Sequence, residues 1–138
     1  MNKENYIVVS IGTNYCQQEN MYYAKKKLSI ILGEQATFTQ ELWTAPIGID
    51  SDKFLNCICI ASTKHTMLQL HKAFKKLERQ CGRSKKNDSE KKIPLDIDIL
   101  FYGDEKFHIQ DWNRDYVKIL LSDFFDVDGR FIIDPNEC

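Results

Sequence analysis

The sequence predicts an α+β fold in which strands and helices follow one another in the order β-α-β-β-α-β. Runs rich in β-branched residues indicate four strands, and apolar residues that recur every three or four positions indicate two helices. This order is the ferredoxin-like arrangement, an antiparallel sheet with two helices on one face and a ligand cleft on the other. With 138 residues, the chain is expected to form a single domain over residues 1–138.

The four predicted strands differ in pattern. Residues 6–11 and 54–61 are almost entirely apolar, as in central strands, whereas residues 37–43 alternate as in a strand exposed on one side. Residues 95–101 form the fourth strand. Two further short strands are expected at 107–109 and 116–121, and polar loops at 44–53 and 83–92.

The two helices are marked by apolar stripes and by residues that start or end a helix. Thr66 and Gln69 form a capping-box pattern before the second helix, and Gly33 and Gly82 follow the helices as stops. The first stripe comprises Met21, Ala24, Leu28, Ile31 and Leu32, and the second comprises Met67, Leu70, Phe74, Leu77 and Cys81.

The composition narrows the range of partners and compartments. Lys and Arg number 19 and Asp and Glu 20, so no global charge attracts nucleic acid or an anionic membrane. The apolar run near the N-terminus is too short for a signal or membrane segment. Five cysteines, an odd number without metal-ligand spacing, indicate free thiols in a reducing compartment. We therefore expect a cytoplasmic protein.

Asp96 and Asp98 interrupt the apolar fourth strand at positions i and i+2. Because side chains alternate across a strand, both carboxylates point to the same face. Two unpaired carboxylates on one partly buried face repel each other and are costly to desolvate, and their oxygen atoms suit a hard ion such as Mg²⁺. The alternative is a strand end that meets solvent or the neighbouring Lys91 and Lys92.

Five motifs follow one another in a single collinear order. They are Ile11-Gly12-Thr13-Asn14, Thr44-Ala45-Pro46-Ile47-Gly48, Phe54-Leu55-Asn56, Glu78-x-x-x-Gly82-Arg83 and Leu95-Asp96-Ile97-Asp98-Ile99-Leu100. Together with the loop lengths between them, they make the chain resemble hydroxymethyl-dihydropterin pyrophosphokinase. This folate-pathway family transfers pyrophosphate from ATP to a pterin alcohol.

The resemblance implies a site for two small-molecule substrates and two Mg²⁺ ions, with ATP as co-substrate and no nucleic acid or membrane partner. The metal ligands would be Asp96 and Asp98, and Arg83 would join them as a catalytic residue. Residues implied to bind the pterin are Thr44, Ala45, Ile47, Phe54, Asn56 and Tyr116, and those implied to bind the nucleotide are Glu78, Arg83, Lys85, Lys92 and Arg114. The chain is expected to be a monomer or weak homodimer.

Two positions depart from the family pattern. Ile93 stands where the family usually has an arginine, and Glu90 stands where it has a tryptophan. A lost phosphate contact weakens the electrostatic stabilisation of the transition state, so low activity is expected. One alternative is a diverged paralogue with low or no activity that binds nucleotide or pterin as a sensor or partner subunit. A nucleic-acid-binding ferredoxin-like domain is the other, which the near-neutral charge disfavours.

Overall fold

The computed structural model describes residues 4–46, 48 and 50–124, which form a six-stranded antiparallel sheet with four helices. The strands are β1 (Asn5–Thr13), β2 (Thr37–Phe38), β3 (Leu42–Thr44), β4 (Phe54–Thr63), β5 (Asp96–Tyr102) and β6 (Glu105–Lys106). The helices are α1 (Gln17–Leu32), α2 (Met67–Gln80), α3 (Lys85–Ser89) and α4 (Asp115–Leu121). None of the helices in these residues is long and apolar enough to cross a membrane.

The apolar strand β1 lies in the middle of the sheet and pairs with β4 on one side and β5 on the other. The strand order is β2-β4-β1-β5-β6, and β3 pairs with β4 at the end where Phe54 lies. This register puts Gly12 opposite Asn56 on β4 and opposite Asp96 on β5. The predicted α+β ferredoxin-like fold is confirmed.

The sheet carries a hydrophobic core on each face. On one face, buried side chains of α1 and α2 pack against odd-numbered residues of the central strands, such as Ile11 and Ile97. On the other face, Val117, Leu120 and Leu121 of α4 pack over the far end of the sheet. The second face was predicted to be free for ligand, but α4 covers part of it, and the open part is the end that contains Gly12.

The predicted helix signals of α1 and α2 are confirmed. The Thr66 hydroxyl accepts the Gln69 N–H at 3.1 Å, and the Gln69 side chain accepts the Thr66 N–H at 2.9 Å. Gly33 ends α1 with φ 93°, a left-handed value that a residue with a Cβ rarely adopts.

Two predictions between the main elements are wrong because short polar side chains redirect the backbone. Residues 37–43 form two short strands, since the Thr39 hydroxyl accepts the Ile58 N–H at 3.0 Å, a donor that strand pairing would otherwise use. The predicted loop 83–92 contains α3, which Ser84 caps by accepting the Asn87 N–H at 3.1 Å.

Two predicted strands near the end of the described chain are also wrong. Residues 116–121 belong to α4, because their apolar side chains at i, i+3 and i+4 meet the sheet on one helix face. Residues 107–109 are not extended, because His108 has a left-handed φ of 51° and leads into a 3₁₀ helix at Ile109–Asn113.

The capping box of α2 yields a stability prediction. Thr66→Ala removes the acceptor for the Gln69 N–H and should lower the free energy of unfolding by about 1 kcal/mol. Urea denaturation followed by circular dichroism would measure the change. Thr66→Ser, which keeps the hydroxyl, should unfold close to wild type. Equal stability of the Ala variant and wild type would contradict the assigned cap.

Candidate active site

A cleft of about 170 Å³ lies at the open end of the sheet face that α4 leaves uncovered. We refer to it as the main cleft. Its floor is the row across the central strands, from Asn56 through Gly12 to Asp96, and Phe54 and Tyr116 also line it. A Cβ at Gly12 would stand 3.5 Å from the Asn56 Oδ1 and 3.7 Å from the Phe54 ring. Glycine therefore keeps the floor open between the amide and the carboxylates.

Asn56 is a buried amide, 4% exposed, in an otherwise apolar strand. Its Nδ2 donates to the Thr44 Oγ1 at 2.8 Å and to the Leu42 carbonyl at 3.1 Å, which anchors it to β3. Its Oδ1 faces the floor over Gly12. These bonds satisfy the donor side of the amide and present its acceptor to the cleft.

Asp96 and Asp98 both line the main cleft, as their spacing predicts. Burial, followed by the neighbouring Asp96 carboxylate, raises the pKa of Asp98 to about 8. Asp96 has a cationic neighbour, because its Oδ1 lies 3.4 Å from Nη1 of Arg83. Among the described residues, no group of three or more His, Cys, Asp or Glu side chains is arranged to hold a metal ion.

Glu78 was implied to bind the nucleotide, but its carboxylate is engaged inside the protein. It is 3% exposed, and its Oε2 accepts the backbone N–H of Ile97 at 2.8 Å. Its Oε1 lies 3.1 Å from the Nζ of Lys75. Ile97 stands between the two aspartates on β5, so Glu78 holds the backbone that carries them.

The other residues implied to bind the nucleotide lie at different distances from the carboxylate pair. Arg83 contacts Asp96, but it also donates from Nε to Asp88 at 2.7 Å and from Nη1 to the Leu95 carbonyl at 3.1 Å. Arg114 lines the main cleft. Lys85 is exposed on α3, and the Lys92 Nζ lies 3.5 Å from Glu90 and 5.3 Å from the centroid of the Tyr15 ring.

The residues implied to bind the pterin gather around the main cleft, with one outside the described residues. Thr44, Ala45, Phe54, Asn56 and Tyr116 all line this cleft. Tyr116 reaches it from the first turn of α4 rather than from a strand. The prediction for Ile47 falls outside the residues that the structure describes.

A second cavity, of about 180 Å³, meets the main cleft at Asp98, and we call it the side groove. It runs between α2 and β5. Its apolar lining consists of Met67, Phe74, Ile97, Ile99 and Phe107, and its polar lining of His71, Lys75, Asp98 and His108. The sequence analysis did not identify this groove, because its residues come from two distant segments that only the packing of α2 on β5 brings together.

Asn14 is a further structural residue that the sequence analysis did not single out beyond its motif. It is 2% exposed, its Oδ1 accepts the Ile93 N–H at 2.6 Å, and its Nδ2 donates to the Lys91 carbonyl at 2.9 Å. The Asn14 N–H also donates to the Ile93 carbonyl at 3.0 Å. These bonds fix the segment before β5 so that Ile93 lines the main cleft.

The raised pKa of Asp98 predicts how the stability of the metal-free protein depends on pH. Between about pH 4 and about pH 8, the Asp98 carboxyl is protonated in the folded state and ionised in the unfolded chain. The contribution of this carboxyl to the free energy of unfolding therefore falls as pH rises through that window. Asp98→Asn mimics the protonated form. The free energy of unfolding of Asp98→Asn, minus that of wild type, should therefore increase with pH by up to about 1.4 kcal/mol per pH unit. Urea denaturation measures this difference, and a constant difference across the window would contradict the assignment.

Comparison with known proteins matches most of the chain to one family. The family model of 7,8-dihydro-6-hydroxymethylpterin-pyrophosphokinase matches residues 8–126. A folate synthesis bifunctional protein of Arabidopsis thaliana is 29% identical over 92% of this chain and 29% of its own length. A mitochondrial folate synthesis bifunctional protein of Pisum sativum is 31% identical over 85% of this chain and 24% of its own length.

The match to one shorter relative spans most of that protein's length. The 2-amino-4-hydroxy-6-hydroxymethyldihydropteridine pyrophosphokinase of Porphyromonas gingivalis is 27% identical over 85% of this chain and 88% of its own length. By contrast, the chain spans less than a third of the two plant proteins. Because the family model covers most of the residues, including both aspartates, the chain belongs to the 7,8-dihydro-6-hydroxymethylpterin-pyrophosphokinase family.

Proposed function

We propose that this protein transfers pyrophosphate from ATP to 6-hydroxymethyl-dihydropterin and releases AMP. The observation that carries the proposal is the row Asn56–Gly12–Asp96, which puts a buried amide and a carboxylate pair on one cleft floor. An amide reads the polar edge of a heterocycle, and a carboxylate pair binds the cations of a polyphosphate. Membership of the family supports the same reaction.

The pterin would enter the main cleft between Phe54 and Tyr116. Both rings line this cleft, and aromatic rings stack favourably on a flat heterocycle. The Asn56 Oδ1 would accept a hydrogen bond from the pterin, and the backbone at Thr44 and Ala45 would complete its polar edge. Ile47 is proposed to take part from the same loop.

Asp96 and Asp98 would hold the metal, and their chemistry fits two Mg²⁺ ions. Both supply hard oxygen atoms to one cleft, where burial, followed by the neighbouring Asp96 carboxylate, raises the pKa of Asp98 to about 8. Bound Mg²⁺ neutralises charge on the phosphates. Because Asp98 must lose its proton to act as a ligand, metal binding should release a proton near neutral pH.

The nucleotide would lie across Asp98, with its adenosine in the side groove. That groove is mainly apolar and meets the main cleft at Asp98, so a nucleotide there would direct its phosphates toward the pterin. Arg83, which contacts Asp96, and Arg114, which lines the main cleft, would contact the phosphates. Lys85 and Lys92 would reach them only after their segment moves. Glu78 would act through β5 as a positioning residue.

In the proposed reaction, the hydroxymethyl oxygen of the pterin attacks the β-phosphorus of ATP. A bond forms between this oxygen and phosphorus, the bond from the β-phosphorus to the oxygen shared with the α-phosphate breaks, and the hydroxyl proton is released. The products are the pterin diphosphate and AMP. The protein contributes mainly by alignment and by positive charge, because phosphoryl transfer needs little covalent assistance.

The proposed setting is the cytoplasm, with residues 1–138 as one domain and the chain as a monomer or weak homodimer. Support for a reducing compartment comes from Cys16, Cys57, Cys59 and Cys81, which are free thiols in the structure.

The proposed function is tested by incubating the protein with ATP, Mg²⁺ and the pterin alcohol and measuring AMP by chromatography. We expect AMP that depends on the pterin. Asp96→Ala and Asp98→Ala should each lower kcat/KM at least about a hundredfold, because each removes a metal ligand. Asp104→Ala is the matched control, since Asp104 is exposed in the turn after β5. Binding of either substrate without AMP would favour the alternative of an inactive paralogue.

Replacing Ile93 by arginine should raise kcat/KM about tenfold, because Ile93 lines the main cleft and a guanidinium there would restore a phosphate contact. Steady-state kinetics with ATP as the varied substrate would measure the gain. Ile30→Arg adds the same charge on α1, where Ile30 is 69% exposed, and should leave the kinetics unchanged. Equal kinetics for Ile93→Arg and wild type would show that the missing arginine does not limit the rate.

A further inference from the structure

Lys75 is a half-exposed cation at the junction of α2 and β5. Its side chain is 45% exposed and lines the side groove together with Asp98. It is the only lysine or arginine among the described residues that line this groove. A phosphate chain that passes from the side groove to Asp98 would therefore pass Lys75.

The other two cations near the carboxylate pair are also engaged. Arg83 contacts Asp88, Asp96 and the Leu95 carbonyl, and it would have to give up or share these bonds to bind a phosphate. The Nε of Arg114 lies 3.2 Å from the Asp111 carboxylate. Arg114 lines the main cleft, whereas Lys75 lines the side groove, so the two cations would act on different parts of a bound nucleotide.

The contact between Lys75 and Glu78 leaves the ammonium able to bind a second group. Its Nζ lies 3.1 Å from the Glu78 Oε1, while the other oxygen of that carboxylate accepts the Ile97 N–H. An ammonium has three N–H donors, so it can keep Glu78 and donate to a phosphate oxygen as well. Because Glu78 is buried and bonded to the Ile97 N–H, it holds the Lys75 ammonium on the side of β5 where Ile97 precedes Asp98.

The main cleft is rich in negative charge, which a nearby cation would partly neutralise. The carboxylates of Asp96, Asp98 and Asp111 all line the main cleft, and the Glu78 carboxylate bonds to the N–H of Ile97 between the first two. A nucleotide triphosphate adds further negative charge, and Ile93 contributes none of the positive charge that an arginine would supply.

We propose that Lys75 is a phosphate-binding residue that supplies positive charge beside Asp98 and so compensates in part for Ile93. This inference rests on the proposed function, because it concerns the polyphosphate of the bound nucleotide. The competing explanation is that Lys75 only neutralises the buried Glu78. In that case its loss would loosen β5, and pterin binding would suffer along with nucleotide binding.

The test is isothermal calorimetry on the full chain with Mg²⁺ and a non-hydrolysable ATP analogue, and separately with adenosine and with the pterin alcohol. Lys75→Met should weaken binding of the analogue about tenfold or more, and leave adenosine and pterin binding within about twofold of wild type. Lys75→Arg should recover most of the loss. Lys76→Met is the matched control, because Lys76 is the next residue on α2 and is exposed.

The outcomes separate this inference from the proposed function. If wild type binds the analogue and Lys75→Met binds it equally well, the phosphate role of Lys75 is wrong and the proposed function stands. A parallel loss of analogue and pterin binding in Lys75→Met would also overturn it, since that is the signature of the structural explanation. Wild-type protein that binds no Mg²⁺-bound analogue would overturn the proposed function, and the role of Lys75 with it.

Discussion

The placement of two carboxylates on one partly buried face of β5 is the constraint on which the rest of the site depends. Burial, followed by repulsion from the Asp96 carboxylate, raises the pKa of Asp98 to about 8. The folded chain relieves the repulsion with a proton on Asp98 and with the guanidinium of Arg83 next to Asp96. In the proposed function, a divalent cation would replace the proton on Asp98 and share the neutralisation of Asp96 with Arg83.

The strand that carries this pair is paired with β1 on one edge, and side chains hold its other edge next to the aspartates. β6 pairs with β5 only at Phe101 and Tyr102, beyond the aspartates. At the site itself, the buried Glu78 accepts the Ile97 N–H, a bond that a neighbouring strand would normally supply. Asn14 fixes the segment that leads into the strand. These hydrogen bonds fix the open edge and leave room for the side groove beside Asp98.

One face of the sheet carries the larger hydrophobic core, and the other face carries a smaller core together with the main cleft. α1 and α2 bury the whole of one face, while α4 covers only the far end of the other. The main cleft is what remains uncovered, and it lies where Gly12 has no side chain to fill it. Ile93 lines this cleft and adds no positive charge to a site that is already rich in carboxylates.

Much of the candidate site could be predicted from the sequence because it depends on short-range rules. The spacing of Asp96 and Asp98 put them on one face whatever the rest of the fold, and a lone amide at Asn56 in an apolar strand needed polar partners. The capping box at Thr66 is a local pattern and is confirmed. Predictions that depended on long-range partners were wrong. Residues 37–43 do not form one strand, because the Thr39 hydroxyl bonds to the Ile58 N–H of β4. Residues 116–121 were predicted as a strand, because their apolar pattern fits the period of a strand as well as that of a helix.

The sequence by itself determined the order of the main elements, the carboxylate pair and the family, because alternation along a strand and collinear motifs are properties of the chain. Only the tertiary structure decided that Glu78 bonds to Ile97 inside the protein, that Asn14 holds Ile93, and that Lys75 and Asp98 line the same groove. The physical reason is that these contacts join residues far apart in the chain. Their partners depend on strand register and on the packing of α2 against β5, and neither leaves a local pattern in the sequence.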